Sequence, residues 1–194
     1  RSYPVFMNIG GLKVVAPGTP ADAKGLMKTA ILDDDPVIVF EDGTLLGTRG
    51  EVPDDPDFTV PFGVANILRD GTDVTVVSIA GSVPHAIAAA EEMAKEGVSV
   101  EVIDPRTLVP LDKVTILNSV AKTGRLVVAD PAAKVCSAAS EIMSIVGEEA
   151  FWDLQAPMQK VASKQVHIPF AQSLEKLVYP TRDGIMEAIK KTLG

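Results

Sequence analysis

Cysteine is almost absent from this chain: Cys136 is the single one in 194 residues. No internal disulfide can form, and one cysteine with two histidines, His85 and His167, falls short of a usual zinc ligand set. A reducing, cytoplasmic compartment is expected. Long apolar runs are also missing. No stretch approaches the roughly 20 residues that span a bilayer, and no charged start followed by a short apolar core suggests a secretory leader. Positive charge is scarce: 18 Lys and Arg against 26 Asp and Glu leave a formal net charge of -8. Nucleic acid and anionic membranes both need a basic face, so neither is expected as a partner. No Gly-x-Gly-x-x-Gly follows a strand and no Gly-Lys-Ser/Thr phosphate loop occurs, which argues against nucleotide sites of those kinds. Nothing near either histidine reads as a Ser or Cys nucleophile signature. His85, at the start of an alanine-rich helix, and His167, in a loop before Ile168-Pro169, are therefore read as structural or solvated. Cys136, at the head of an Ala/Ser-rich helix, is read as a small core residue.

What the chain has in quantity is apolar content, 46% of residues, enough for one good core or for one domain with a piece of another. Arg1 to Asn8 reads as irregular. Leu12 to Ala16 (LKVVA) reads as a buried strand broken by Pro17-Gly18. Thr19-Pro20-Ala21-Asp22 then offers a cap, a proline in the first turn and an early acid, which start a helix to about Leu32. Val37 to Phe40 (VIVF) is a second apolar run, giving a strand-helix-strand unit with a parallel pair. Two strands do not make a stable sheet, so the rest of this sheet is expected upstream or from a partner. Glu41 to Pro61 turns to Gly, Asp and Pro and reads as a linker or long ordered loop.

From Phe62 onward strands and helices alternate. Gly63 to Leu68 and Asp73 to Ala80 flank Asp70-Gly71, a hairpin signal that predicts one antiparallel edge. Val83 to Glu96 reads as a helix, Val98 to Ile103 as a strand and Asp112 to Lys122 as a helix closed by Gly124. Arg125 to Ala129 (strand), Val135 to Val146 (helix), Met158 to Ala162 (strand) and Thr181 to Gly194 (helix) complete the series. The expected fold is a three-layer α/β structure with a mostly parallel five-stranded sheet and one antiparallel edge, preceded by the remnant of a second α/β domain. Asp104 and Arg106 in the DPRTL turn are read as fixing a connection or an interface.

Asp33, Asp34 and Asp35 fall at the C-terminal end of a predicted helix, where the last carbonyls already carry negative partial charge. Such a cluster calls for something positive. Two readings are open: a solvated acidic turn, or a hard-oxygen cation site.

The blocks GLKVVAPGTPADAKGLMKTAILDDDPVIVFED, GEVP, GVANILRDGTDVTVVSIAG, EVIDPRTLVPLD, SVAKTGRLVVAD and LEKLVYPT run in order along essentially the whole chain. In this order they resemble the beta subunit of thiamine-diphosphate-dependent 2-oxo acid or acetoin dehydrogenases. The resemblance implies a transketolase-like architecture: residues 1–42 end a pyrimidine-binding domain, 43–61 link, and 62–194 form the C-terminal domain. It also implies a heterotetramer with an alpha subunit and a second beta subunit, with thiamine diphosphate and magnesium held mainly by the alpha subunit and by beta-subunit residues upstream of Arg1. The acyl product passes to a dihydrolipoyl acyltransferase. No catalytic or cofactor-binding residue is assigned to this chain, whose part is assembly and scaffold; a non-catalytic interaction domain is the competing reading. The family's potassium site maps onto Ala30, Ile31, Asp33 and Asp35, and with the resemblance added the cation reading of the acidic cluster is preferred. Asn8 stands where the family usually has a histidine, and the Cys-Ser-Ala-Ala run at Cys136 looks more like acetoin dehydrogenases than pyruvate or branched-chain ones.

Overall fold

The computed structural model describes all of residues 1–194. The N-terminal part contains helix α1 (Tyr3–Met7), strand β1 (Lys13–Val15), helix α2 (Pro20–Leu32) and strand β2 (Val37–Val39). Thr19 Oγ1 accepts the Asp22 N–H at 3.1 Å and Pro20 occupies the first turn, so α2 starts where its capping residues dictate. The stretch expected to be irregular thus holds a five-residue helix, too short to show a period in sequence. β1 and β2 pair in parallel, Lys13 with Val37 and Val15 with Val39.

The rest of the chain carries β3 (Asn66–Arg69), β4 (Val74–Ser78), α3 (Val83–Lys95), β5 (Val100–Asp104), β6 (Thr107–Val109), α4 (Lys113–Thr123) and β7 (Leu126–Ala133). It ends with α5 (Ala138–Glu149), β8 (Gln159–Ser163), the one-turn helix α6 (Gln172–Glu175) and α7 (Arg182–Leu193). Five strands form one sheet in the order β3-β5-β4-β7-β8, parallel except for β3 at the edge.

Successive residues of β4 serve opposite faces, as the two-residue period requires. Val74 and Val76 pack with Ala86, Met93, Ile185 and Ile189 of α3 and α7. Val77 packs with Ile116, Val120, Ile142 and Val146 of α4 and α5. The helices therefore cover both faces, giving the expected three layers.

Two pairings differ from expectation. β3 and β4 are not a hairpin: β5 lies between them, with Asn66 opposite Asp104 and Ile67 opposite Ile103. Gly71 is there for a different reason, since a Cβ on it would fall 2.1 Å from Glu101 N and 2.2 Å from Val100 C. Close approach of backbones, not a tight turn, selects the glycine. The second difference is β6. This strand leaves the large sheet and pairs antiparallel with β1, Val14 opposite Val109 and Val15 opposite Thr107. The small sheet, order β2-β1-β6, thus takes its third strand from the C-terminal part of the same chain. Leu108, in that strand, is buried in the core that also holds Tyr3, Val14 and Ile79. The segment after β2 is an ordered wrap, in which Val60 packs on Leu26 and Val15 and its carbonyl accepts from Thr29 Oγ1 at 2.7 Å.

Candidate functional site

The acidic cluster lies at the C-terminal end of α2. No left-handed cap closes this helix, for Asp33 at its end is extended, and no basic residue stands in its last turn. Ala30 and Ile31 belong to that last turn, with the Ile31 side chain out in solvent. The positive charge that the helix end calls for comes from the neighbouring strand: Lys13 Nζ lies 2.7 and 2.8 Å from the two Asp33 oxygens and 3.1 Å from Asp35 Oδ2. Asp35 N–H also donates to Asp33 Oδ1 at 2.8 Å. Hydrogen bonding to Lys13 holds the Asp33 carboxyl below the usual carboxylate range, and Asp33 first and Asp35 second raise the Lys13 ammonium. The structure brings Asp33 and Asp35 together on one ammonium group; Asp34 points away into solvent. Lys13 was missed in sequence because a lysine opening a buried strand reads as a solvated end.

A second polar cluster joins the two sheets. Arg106, held at φ +59 between β5 and β6, places its Nε 2.8 Å from Asp22 Oδ1 in the first turn of α2. That contact is an ion pair by distance, with the N–H angled off the oxygen. Asp104 Oδ1 accepts the Arg106 N–H at 2.8 Å, while Oδ2 is buried with no hydrogen-bond partner beside Gly18. Burial, reinforced by the Asp22 charge and opposed by the Arg106 N–H, pushes the Asp104 carboxyl up to about 7. A third link is Tyr3, whose hydroxyl donates to Asp130 Oδ1 in β7. Asp130 also accepts the N–H groups of Ala132 (2.8 Å) and Ala139 (3.0 Å). Burial first, and the Asp130 charge second, raise the Tyr3 hydroxyl far above its ordinary range.

Both histidines are exposed and stand apart from these clusters. Cys136 is exposed as well, at φ +50, contrary to its reading as a core residue. The helix starts two residues later, with Ser137 Oγ accepting the Ser140 N–H, and this leaves Cys136 in the turn outside the cap. No group of three His, Cys, Asp or Glu side chains converges in a metal-holding arrangement. No helix is long and apolar enough to cross a membrane.

The profile of the family "Transketolase, C-terminal domain" matches residues 63–185. The chain is 46% identical over 190 residues to the acetoin:2,6-dichlorophenolindophenol oxidoreductase subunit beta of Cupriavidus necator, covering 98% of this chain and 56% of that one. It is 45% identical over 189 residues to the pyruvate dehydrogenase E1 component subunit beta of Leifsonia xyli, covering 97% and 56%. To the 2-oxoisovalerate dehydrogenase subunit beta of Bacillus subtilis it is 39% identical over 189 residues, covering 96% and 58%. The chain thus spans a little over half the length of these curated relatives. Among solved structures, a split-gene transketolase described as an inactive beta4 tetramer superposes with a TM-score of 0.80 at 22% identity, covering 98% of this chain and 60% of that one.

Proposed function

This chain belongs to the transketolase C-terminal domain family, and from that premise we propose that it is the assembly-bearing part of a beta subunit in a thiamine-diphosphate-dependent dehydrogenase acting on acetoin or a 2-oxo acid. The observation that carries the reading is the continuous likeness, over 98% of the chain at 46% identity, to an acetoin:2,6-dichlorophenolindophenol oxidoreductase subunit beta. In this reading residues 1–42 close the pyrimidine-binding domain, 43–61 are the linker and 62–194 the C-terminal domain. The contacts Tyr3 with Asp130 and Asp22 with Arg106, together with the β1–β6 pairing, join the two proposed units.

Thiamine diphosphate supplies the carbanion chemistry of such enzymes when bound. No three acidic, His or Cys side chains of this chain converge on a metal position, and in this reading the cofactor and its magnesium are held by residues outside it. Both fall to the alpha subunit and to other beta-subunit residues. For potassium the proposed donors are Asp33, Asp35 and the carbonyls of Ala30 and Ile31, hard oxygens of the kind it takes, and an ion there would have to share or displace the Lys13 ammonium that now bridges the two carboxylates. The partners proposed are the alpha subunit, a second beta subunit and a dihydrolipoyl acyltransferase, whose docking would gain from a basic surface facing this chain of net charge -8.

The test is reconstitution of the full chain with the alpha subunit, thiamine diphosphate and magnesium, with dye reduction followed for acetoin, pyruvate and 2-oxoisovalerate. The expected result is a stable complex. Turnover by that complex, or by the longer subunit that contains this chain, then names the substrate. Failure of both to bind the alpha subunit would leave a non-catalytic interaction domain.

A further inference from the structure

Of the five buried side-chain polar atoms without a hydrogen-bond partner, four belong to Ser78, Ser82, Asp104 and Arg106. These residues end the neighbouring parallel strands β4 and β5 or follow them within four positions. Two residues beyond the paired Val76 and Val102, Ser78 and Asp104 turn to the face of the sheet that α3 covers. Buried polar groups are nearly always satisfied, so a concentration of unsatisfied ones at one spot calls for a physical reason.

The spot is the seam between the two sheets. From the small-sheet side come Gly18 and the first turn of α2 with Asp22; from the large-sheet side come Asp104, the turn with Arg106, and Val83 at the start of α3. The packing leaves no slack, since a Cβ on Gly18 would collide with both Asp104 Oδ2 and Val83. The Ala16 N–H donates to the Arg106 carbonyl at 2.9 Å, which ties the end of β1 to the same turn.

Charge does not balance in this seam. Asp104 and Asp22 are 0% and 1% exposed, and Arg106 is the one cation that bears on both. Its guanidinium is taken up by Asp22, whose other oxygen accepts from Thr19 Oγ1 at 2.6 Å. Asp104 is left with backbone N–H groups, that of Arg106 and, less directly, that of Gly18. The neighbouring elements bring it no charge: β4 has Ser78, β3 has Asn66 across the ladder, and α3 has Val83. With both carboxylates ionised the seam holds one unpaired buried negative charge. With Asp104 protonated it is neutral, and the Ser78 hydroxyl on the same face is an acceptor for the proton. Burial pushes this carboxyl up to about 7, which agrees with the charge count.

We propose that the proton on Asp104 is a latch: while bound it clamps the small sheet to the large one, and its release above neutral pH opens the seam, freeing β6 from β1 and the start of α2 while the five-stranded sheet stays folded. Local opening is the easier route because β6 has three residues, whereas the large sheet keeps an apolar core on each face.

Amide hydrogen exchange of the full chain at pH 6 and pH 8.5, corrected for the intrinsic rate, tests this. Protection of the β1–β6 amides and of the first turn of α2 should fall about tenfold at the higher pH, the factor for a carboxyl held near neutrality when closed and at its ordinary value when open. Amides of the β4–β7 pairing should keep their protection. Asp104→Asn, which cannot titrate, should abolish the difference. Asp22→Asn, which releases Arg106 to Asp104, should move the transition to lower pH. Unchanged β1–β6 protection, an equal fall in β4–β7, or a pH dependence that survives Asp104→Asn would overturn the latch. Should Asp104→Asn fail to fold, Asp22→Asn carries the test, and an unmoved transition there counts against the latch in the same way.

Discussion

Asp104 is a fully buried carboxyl with one oxygen unpartnered, facing Asp22 across Arg106. Its folded-state pKa, about 7, lies above the ordinary 3.8. Between those values the folded chain holds a proton that the unfolded chain has released, so stability falls as pH rises through this window and levels off above it. The shift of roughly 3 units corresponds to an upper bound of about 4 kcal/mol. Asp104→Asn removes the titration while keeping an acceptor for the Arg106 N–H. Urea unfolding at pH 4.5 and 8 should show the variant gaining on the native chain by up to that amount as pH rises; a constant difference would show that Asp104 stays ionised. Asp33 obeys the opposite rule. Its pKa is lowered by Lys13, so the pair stabilises at neutral pH and its contribution disappears as pH falls below the carboxylate range. Lys13→Met should lower Tm at pH 7 and not at pH 2.5. If the oxygens at the end of α2 do take potassium, added KCl should restore more of the lost Tm than equal NaCl.

Elements were legible where local chemistry and periodicity agreed. The start of α2 is written in Thr19, Pro20 and Asp22, and the end of α4 in Gly124, which adopts φ +69. They were illegible where a residue answers to a distant neighbour. β6 has three residues and no period, and only its partner β1 makes it a strand. The glycine of Asp70-Gly71 serves the β5 backbone rather than a hairpin. Gly25 is a further case. As an interior residue of α2 it should weaken the helix by about 1 kcal/mol relative to alanine, yet a Cβ there would fall 2.4 Å from Val60 Cγ2 and 3.0 Å from Val60 N. The wrap of residues 43–61 lies directly on this helix, as the Thr29 to Val60 hydrogen bond also shows. Gly25→Ala is therefore expected to lower Tm despite its better helix propensity, and to expose the wrap to faster proteolysis. A raised Tm would mean that the wrap yields without cost. The site residues divide in the same way: Asp33 and Asp35 stood out by their helix position, whereas Lys13 and Tyr3 acquire meaning only from what folds against them.

At the scale of the molecule, one stretch of the chain concentrates exposed apolar side chains. Val166, Ile168, Phe170, Leu174 and Leu177 are all exposed within twelve residues, and Phe170 is wholly so, at 104%. Single apolar residues scattered on a surface need no explanation, whereas five within one short segment suit a contact face. The segment lies between β8 and α7 and contributes little to either core, since only Val178 beside it is buried. Its apolar side chains therefore do not hold the fold together, and the proposed assembly with an alpha subunit or a second beta subunit gives them a place to be covered. The double substitution Phe170→Ser, Leu177→Ser separates fold from assembly. Exposed positions of this kind change stability by no more than about 0.5 kcal/mol each, so the urea midpoint of the variant should match that of the native chain. Its complex with the alpha subunit should weaken at least about tenfold in sedimentation, because apolar anchors at the centre of an interface carry much of its free energy. Unchanged association would place the subunit contacts elsewhere, and a lowered midpoint would show that the segment is part of the fold after all.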